Sequence, residues 1–191
     1  MKKIILKTNR LILRPIVSDD FSAIYTYSRD EEWGQYFTPH TFEYVENLVN
    51  KWVSSPWNIC PRFCITLNSN VIGSTGLYVD IENNIAEIGY SLAKEYWGKG
   101  YITEATSEVI RWGFEKLKLY KIFAKANSEN FASLKVMRKL GMTQEGLLKG
   151  HYLIRGKRKD EVLYSILPST YLLHFLFIST SPFFTFQCLS F

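Results

Sequence analysis

The chain has 191 residues, 47% hydrophobic and 16% aromatic, enough apolar material for one ordinary domain and too much for a disordered chain. Its formal net charge of +5 is dispersed rather than gathered into a basic tail, which suits anionic ligands such as nucleotides and argues against a nucleic-acid arm. Three cysteines without regular spacing, Cys60, Cys64 and Cys188, argue against a disulfide framework and point to a reducing, cytoplasmic compartment.

The opening MKKIILKTNR holds only a short apolar run, far less than the core of a signal peptide. Arg10–Pro15 (RLILRP) alternates apolar and polar residues as an edge strand does. Pro15 ends it, and Ser18, Asp19 and Asp20 are placed to cap a helix reaching about Arg29. A second helix is predicted from Thr41 to about Ser54, because Phe42, Val45, Leu48, Val49 and Trp52 recur at helical spacing. Pro56 and Pro61 then bound a loop. Cys60 and Cys64 resemble half of a zinc site, but zinc takes about four ligands, and His40, His151 and His174 lie scattered in loops and tail. Two buried thiols and no metal are therefore expected.

Residues 62–94 read as three antiparallel strands joined by polar turns at Asn68–Asn70 and Asp80–Asn84. Next comes EYWGKGYITEA, Glu95–Ala105, with two glycines just before a long amphipathic helix that is expected to end near Lys118. KIFAKAN, Lys121–Asn127, follows as a strand, so the helix becomes a crossover between two parallel strands. Asn130 caps a further helix stopped by Gly141, and two more strands precede Leu167. The composition changes at Pro168: residues 168–191 lack Asp, Glu, Lys and Arg but contain six of the thirteen phenylalanines. That divides the chain into a body, 1–167, and an atypical tail, 168–191. The tail's apolar stretch is too short for a membrane span, so it is expected to pack on the body or on a partner chain, a homodimer being one such arrangement.

Glycine costs about 1 kcal/mol relative to alanine inside a helix, so Gly98 and Gly100 read as a turn whose backbone approaches something closely. Between a strand and a helix N-terminus, that something is suited to be a phosphate. Two common phosphate loops do not fit. The residue after the second glycine is not lysine, and Thr103 stands where a dinucleotide fingerprint has its third glycine.

AEIGYSLAKEYWGKGYITEA, followed by NSENFASLKVMRKLGM, EG and DEVLYSIL, and preceded by TNRLILRP, resembles the GNAT-superfamily N-acetyltransferases of the RimJ/RimL type, over about Leu6–Leu167. The resemblance implies an α/β (α+β) fold: a central mixed, mostly antiparallel twisted sheet, a V-shaped splay between two parallel strands, and helices on both faces. It implies acetyl-CoA as co-substrate and no metal. Backbone amides of Trp97, Gly98, Lys99, Gly100, Tyr101 and Ile102 would hold the pyrophosphate. The pantetheine arm would lie along Ile88, Gly89 and Tyr90 on a bulged strand, and Asn130 would bind it further on. Of the family's usual signature only Gly100 is kept, Trp97 and Ile102 standing at its other two fixed positions.

Acetyl transfer needs a neutral amine, a polarised carbonyl and a proton for the departing thiolate. Glu87 is the expected base, activated by burial in the slot. The resemblance gives Ser133 the proton for the thiolate and the backbone near Tyr90 the carbonyl. Neither Cys60 nor Cys64 has a base placed beside it, so direct attack without an acetyl-enzyme is expected. Tyr36, Phe37 and Trp57 are candidates for the acceptor site. The resemblance suggests a protein N-terminal α-amine, such as that of a ribosomal protein, as acceptor; polyamine or aminoglycoside acetylation, and a non-catalytic acyl-CoA-binding module, are the alternatives.

Overall fold

The computed structural model describes residues 1–36 and 40–179. Eight strands form one sheet in the order β1-β2-β3-β4-β5-β6-β8-β7. They are β1 (Leu6–Lys7), β2 (Ile12–Pro15), β3 (Arg62–Leu67), β4 (Asn70–Asp80), β5 (Ile85–Leu92), β6 (Lys121–Asn127), β7 (Thr143–Ile154) and β8 (Lys157–Ile166). Every neighbouring pair is antiparallel except β5 and β6.

The helices are α1 (Phe21–Ser28), α2 (Phe42–Ser54), α3 (Tyr101–Glu115), α4 (Phe131–Lys139) and α5 (Pro168–Ser179). They fall on both faces, as alternation along β3 makes plain. Phe63 and Ile65 join the core under α3 and α4, while Cys64 between them joins the core under α1 and α2. On the first face Ala105, Val109, Ile110, Trp112 and Phe114 supply the buried stripe of α3, and Leu134 and Met137 that of α4. On the second face Val45, Val49 and Trp52 of α2 pack with Ile24 and Tyr27 of α1.

Local chemistry sets the helix ends. The Thr41 hydroxyl accepts from the Tyr44 N–H at 3.2 Å and starts α2. Asn130 Oδ1 accepts from the Ser133 N–H at 3.0 Å and starts α4. Gly141, at φ +78, ends α4 with its N–H bonded to the Arg138 carbonyl. Asp20 departs from the expected cap: no side-chain cap opens α1, and its carboxylate instead takes both Arg14 terminal nitrogens, at 2.6 and 2.8 Å, and the Val17 N–H. Helix α3 stops at Glu115, short of the expected Lys118, which lies at φ +58 in the turn beyond. Phe42, counted with the apolar face of α2, is half exposed, its ring packed edge-on against Phe21 and Tyr25.

The parallel pair creates the opening on which function depends. Strands β5 and β6 are paired only through Ile85–Lys121, Ala86–Ile122 and Glu87–Phe123. Beyond Glu87, β5 continues against β4 alone, and beyond Phe123, β6 continues against β8 alone. The two strands thus form the arms of a V, with backbone groups on the facing edges left without ladder partners. The bulge expected in β5 is absent, since its register with β4 is unbroken from Gly73–Leu92 to Asp80–Ile85. Register shifts fall elsewhere: between β3 and β4, where Ile72 of β4 is the extra residue, and along β7. Beyond the sheet, α5 starts at Pro168, and Tyr171 on its first turn is buried against Phe114, ring centroids 5.5 Å apart. Among the described residues no helix is long and apolar enough to cross a membrane.

Candidate active site

A cleft of about 480 Å³ opens on the α3 and α4 face of the V. Its floor is Tyr90, Ser91 and Leu92 of β5; one wall is the glycine turn and the first turn of α3, the other the first turns of α4. Gly98 and Gly100 both adopt left-handed backbone, φ +75 and +79, which an L side chain rarely takes up. Gly100 is the N-cap of α3, so the amides that follow it have no carbonyl within the helix to bond and gather at the positive end of the helix dipole. Gly98, Gly100, Ile102 and Thr103 all line the cleft, and Lys135 and Lys139 of α4 add positive charge opposite them. This is a cradle for an anionic, phosphate-bearing ligand.

Arg10 fixes the turn from behind. Its guanidinium bonds Glu104 at 2.6 Å and the Lys99 carbonyl at 3.0 Å, and lies 4.4 Å over the Tyr101 ring. Glu104 also accepts from the Thr8 hydroxyl and the Arg10 N–H. Burial works against its charge, but these donors hold its carboxyl below the usual carboxylate range.

Across the cleft, the Tyr90 hydroxyl stands 2.9 Å from Ser133 Oγ, on the first turn of α4. Burial pushes the Tyr90 phenol up to about 12, so it remains a neutral donor. Ser91, the next residue of β5, points through the opposite face, where its hydroxyl meets Tyr27 at 2.9 Å and Ser74 at 3.0 Å. A second cavity, about 220 Å³, lies there between the sheet and helices α1 and α2. Tyr90 and Ser91 belong to both cavities, so the two meet at β5 on the open side of the V.

The residues match a known family. The Acetyltransferase (GNAT) domain model covers residues 10–143. The chain belongs to the GNAT acetyltransferase family. It is 34% identical over 176 residues to the uncharacterized N-acetyltransferase p20 of Bacillus licheniformis, spanning 87% of this chain and 97% of that one. A GNAT-family acetyltransferase structure from Bacillus anthracis superposes with a TM-score of 0.77 at 29% identity, covering 86% of this chain and 98% of that one. A spermidine N-acetyltransferase from Vibrio cholerae, solved with CoA and spermine, superposes at 0.76 with 26% identity, covering 86% and 99%. The chain is therefore an acetyl-CoA-dependent N-acetyltransferase, and the cleft fits the co-substrate: a helix N-terminus for the pyrophosphate, and the free edge of β5 for the amides of the pantetheine arm.

On this GNAT frame the expected residues separate. Gly98, Gly100, Trp97, Ile102, Tyr90, Asn130 and Ser133 line the cleft together, as does Tyr36. The side chain of Ile88 is buried in the core, leaving its backbone as the only part facing the V. Gly89 lies on the second-cavity side, where an added Cβ would come within 3.2 Å of the Arg62 guanidinium. Tyr101 packs against the core under Arg10. Lys99 turns away from the cleft, its ammonium bonded to the Glu95 carbonyl at 2.9 Å.

Two expectations change, and a third falls where nothing tests it. Glu87 is not buried: its side chain is 38% exposed and paired with Lys125 at 3.2 Å, and it lines neither cavity. Trp57 is core, stacked edge-on with Phe63 at 5.1 Å and near Trp112, away from both cavities. Phe37 lies outside the described residues. Among the described residues no group of three His, Cys, Asp or Glu side chains comes together as a metal site. Cys60 and Cys64 are both buried, and burial pushes the Cys64 thiol up to about 12, far from a nucleophile.

Sequence reasoning also missed residues. Arg62 is buried, 4.7 Å from the Trp52 ring and 4.5 Å from that of Tyr78, donating to the Gly89 carbonyl at 3.1 Å and the Tyr78 hydroxyl at 3.0 Å. Arg10, Lys135 and Lys139, and the hydroxyl of Tyr90, were equally invisible, because their roles depend on partners far away in the chain.

Proposed function

We propose that this N-acetyltransferase acts on the α-amine at a protein N-terminus, as RimJ/RimL-type enzymes do, with a ribosomal protein as the expected acceptor. The observation that carries this reading is the lining of the second cavity. Among its described residues it holds no Asp or Glu, one buried cation, Arg62, and His40, whose burial favours the neutral imidazole. Such a pocket repels a polycation and tolerates a neutral amine followed by peptide. An α-amine, with a pKa near 8, is also about 3 kcal/mol cheaper to deprotonate at neutral pH than a lysine-like amine near 10.4.

Acetyl-CoA supplies the activated acetyl group as a thioester. Amides of residues 101–103, freed by Gly98 and Gly100, bind its pyrophosphate, with Lys135 and Lys139 adding charge. The free edge of β5 at Ile88 and Tyr90 orients the pantetheine arm and the acetyl carbonyl, helped by Asn130. The acceptor nitrogen reaches that carbonyl from the second cavity, through the open V. Ser133, held by Tyr90, gives a proton to the departing thiolate.

The test is an acceptor panel of Ser- and Ala-starting peptides, spermidine and aminoglycosides, followed by release of free thiol. The expected result is kcat/KM at least tenfold higher for a peptide than for spermidine. A preference for spermidine overturns the acceptor assignment, and CoA binding without thiol release on any amine favours a binding module.

A further inference from the structure

Arg62 precedes Phe63 on β3, so its side chain leaves the opposite face of the sheet, with Cys64, and lines the second cavity. In the ladder Arg62 stands opposite Gly76 of β4, and Gly76 opposite Gly89 of β5. A Cβ at Gly76 would come within 2.5 Å of the Arg62 Cδ, and one at Gly89 within 3.2 and 3.3 Å of its two terminal nitrogens. The two glycines thus leave a trough across the sheet, and the arginine lies along it from β3 over β4 to β5. There Nη1 donates to the Gly89 carbonyl at 3.1 Å, one residue from Tyr90, where the two cavities meet.

The charge carried to that point has no counter-charge. Arg62 is only 7% exposed, and among the described residues no Asp or Glu lines the cavity with it. Its hydrogen bonds go to the Gly76 and Gly89 carbonyls and the Tyr78 hydroxyl, and its buried Nε has no partner. The rings of Trp52 and Tyr78 lie 4.7 and 4.5 Å from the guanidinium carbon and stabilise the cation without neutralising it. Burial raises the Cys60 thiol, Arg62 opposing the rise, so that thiol stays neutral. A buried cation held by neutral groups alone attracts an anion more strongly than a surface lysine does, because water and salt screen it less.

The cavity's volume of about 220 Å³ is roughly seven times the share of one water, room for the first part of an acceptor and little more. An anion bound at Arg62 therefore belongs near the reacting nitrogen. We propose that Arg62 selects acceptors that carry a carboxylate close to the amine to be acetylated, through charge-assisted hydrogen bonds from its guanidinium. The inference rests on the second cavity being the acceptor site and adds the chemistry that site recognises. Such a carboxylate has two sources: an acidic side chain among the first two residues of a peptide, or the α-carboxylate of a free amino acid. Polyamines and aminoglycosides have none.

The experiment measures kcat/KM on three pairs of acceptors that differ by one carboxylate: peptides starting Asp and Asn, peptides starting Ala-Asp and Ala-Asn, and free alanine and alanine amide. Spermidine is measured beside them. In the wild type at least one pair is expected to favour the carboxylate about tenfold or more, and the favoured pair tells a side chain from an α-carboxylate. Arg62→Gln is expected to shrink that preference to about twofold or less, whereas a guanidinium that only braced β5 would affect both members of a pair alike. The wild-type ratios do not depend on how any variant folds. Equal rates within all three pairs, or a preference that Arg62→Gln keeps, overturn the proposal and leave the peptide reading intact as long as peptides are acetylated. A preference confined to free alanine supports the role of Arg62 and overturns the protein N-terminus as acceptor. Spermidine acetylated faster than all six overturns both.

Discussion

The Tyr90 hydroxyl lies 2.9 Å from Ser133 Oγ, joining the free arm of the V to the first turn of α4 across the floor of the CoA cleft. One partner hydrogen-bonds the other, so the hydroxyl proposed to protonate the leaving thiolate is held in place by Tyr90. Tyr90→Phe is expected to lower kcat about tenfold with the KM for acetyl-CoA within about twofold, and Ser133→Ala to lower kcat further. The Tyr90 phenol sits at about 12, so removing it lowers the rate evenly between pH 6 and 10 without altering any basic limb. Steady-state kinetics across that range check both.

Gly100 caps α3 at φ +79, a conformation that costs a residue with a side chain roughly 1–2 kcal/mol. Gly100→Val is expected to weaken CoA binding at least tenfold in calorimetry, both by displacing the amides and by filling the approach to them. Lys99→Ala is expected to weaken it no more than about threefold, since the Lys99 ammonium bonds back to Glu95 and does not line the cleft.

Arg10 spans Glu104, the Lys99 carbonyl and the Tyr101 ring, and so ties the β1–β2 connection to the glycine turn. Arg10→Ala is expected to raise the Kd for CoA about three- to tenfold by loosening the turn, with kcat little changed. Amide hydrogen exchange would register faster opening at residues 98–103 in the variant.

Asp20 is nearly buried beneath Arg14, and although burial works against its charge, Arg14 and the Val17 N–H hold the carboxyl below its ordinary range. A depressed carboxyl stabilises the fold fully above its unfolded pKa, near 3.9, and loses that contribution as pH falls through the folded value. Asp20→Asn is therefore expected to cost roughly 2–3 kcal/mol at neutral pH, less than a fully buried pair because Arg14 is a third exposed. In denaturant unfolding the gap between variant and wild type should close as pH drops below about 4.

What the sequence revealed and what it hid divide along a physical line. The glycine turn and the Asn130 cap were legible because left-handed backbone and helix capping are properties of a few consecutive residues. The crossover from β5 through α3 to β6 followed from periodicity and handedness, and the open V came with the family resemblance. Trp57 was misread because an aromatic ring in a proline-bounded loop looks the same whether it meets Phe63 or a ligand. Glu87 was misread because strand periodicity does not say that Lys125, on the neighbouring arm, will meet it at a half-exposed edge. Arg62 with Gly89, Tyr90 with Ser133 and His151 with Glu161 are matches between distant segments that only strand order and register bring about. The bulge expected in β5 is absent there, while β7 carries one beside His151.

The central claim is that the acetyl group passes directly from CoA in one cavity to an amine in the other, through the opening between β5 and β6. Initial rates with acetyl-CoA and the best acceptor varied together measure this. Intersecting double-reciprocal lines, with no acetyl group on the protein when acetyl-CoA is added alone, are the predicted result. Parallel lines with an acetylated Cys60 or Cys64 trapped in mass spectrometry would contradict it.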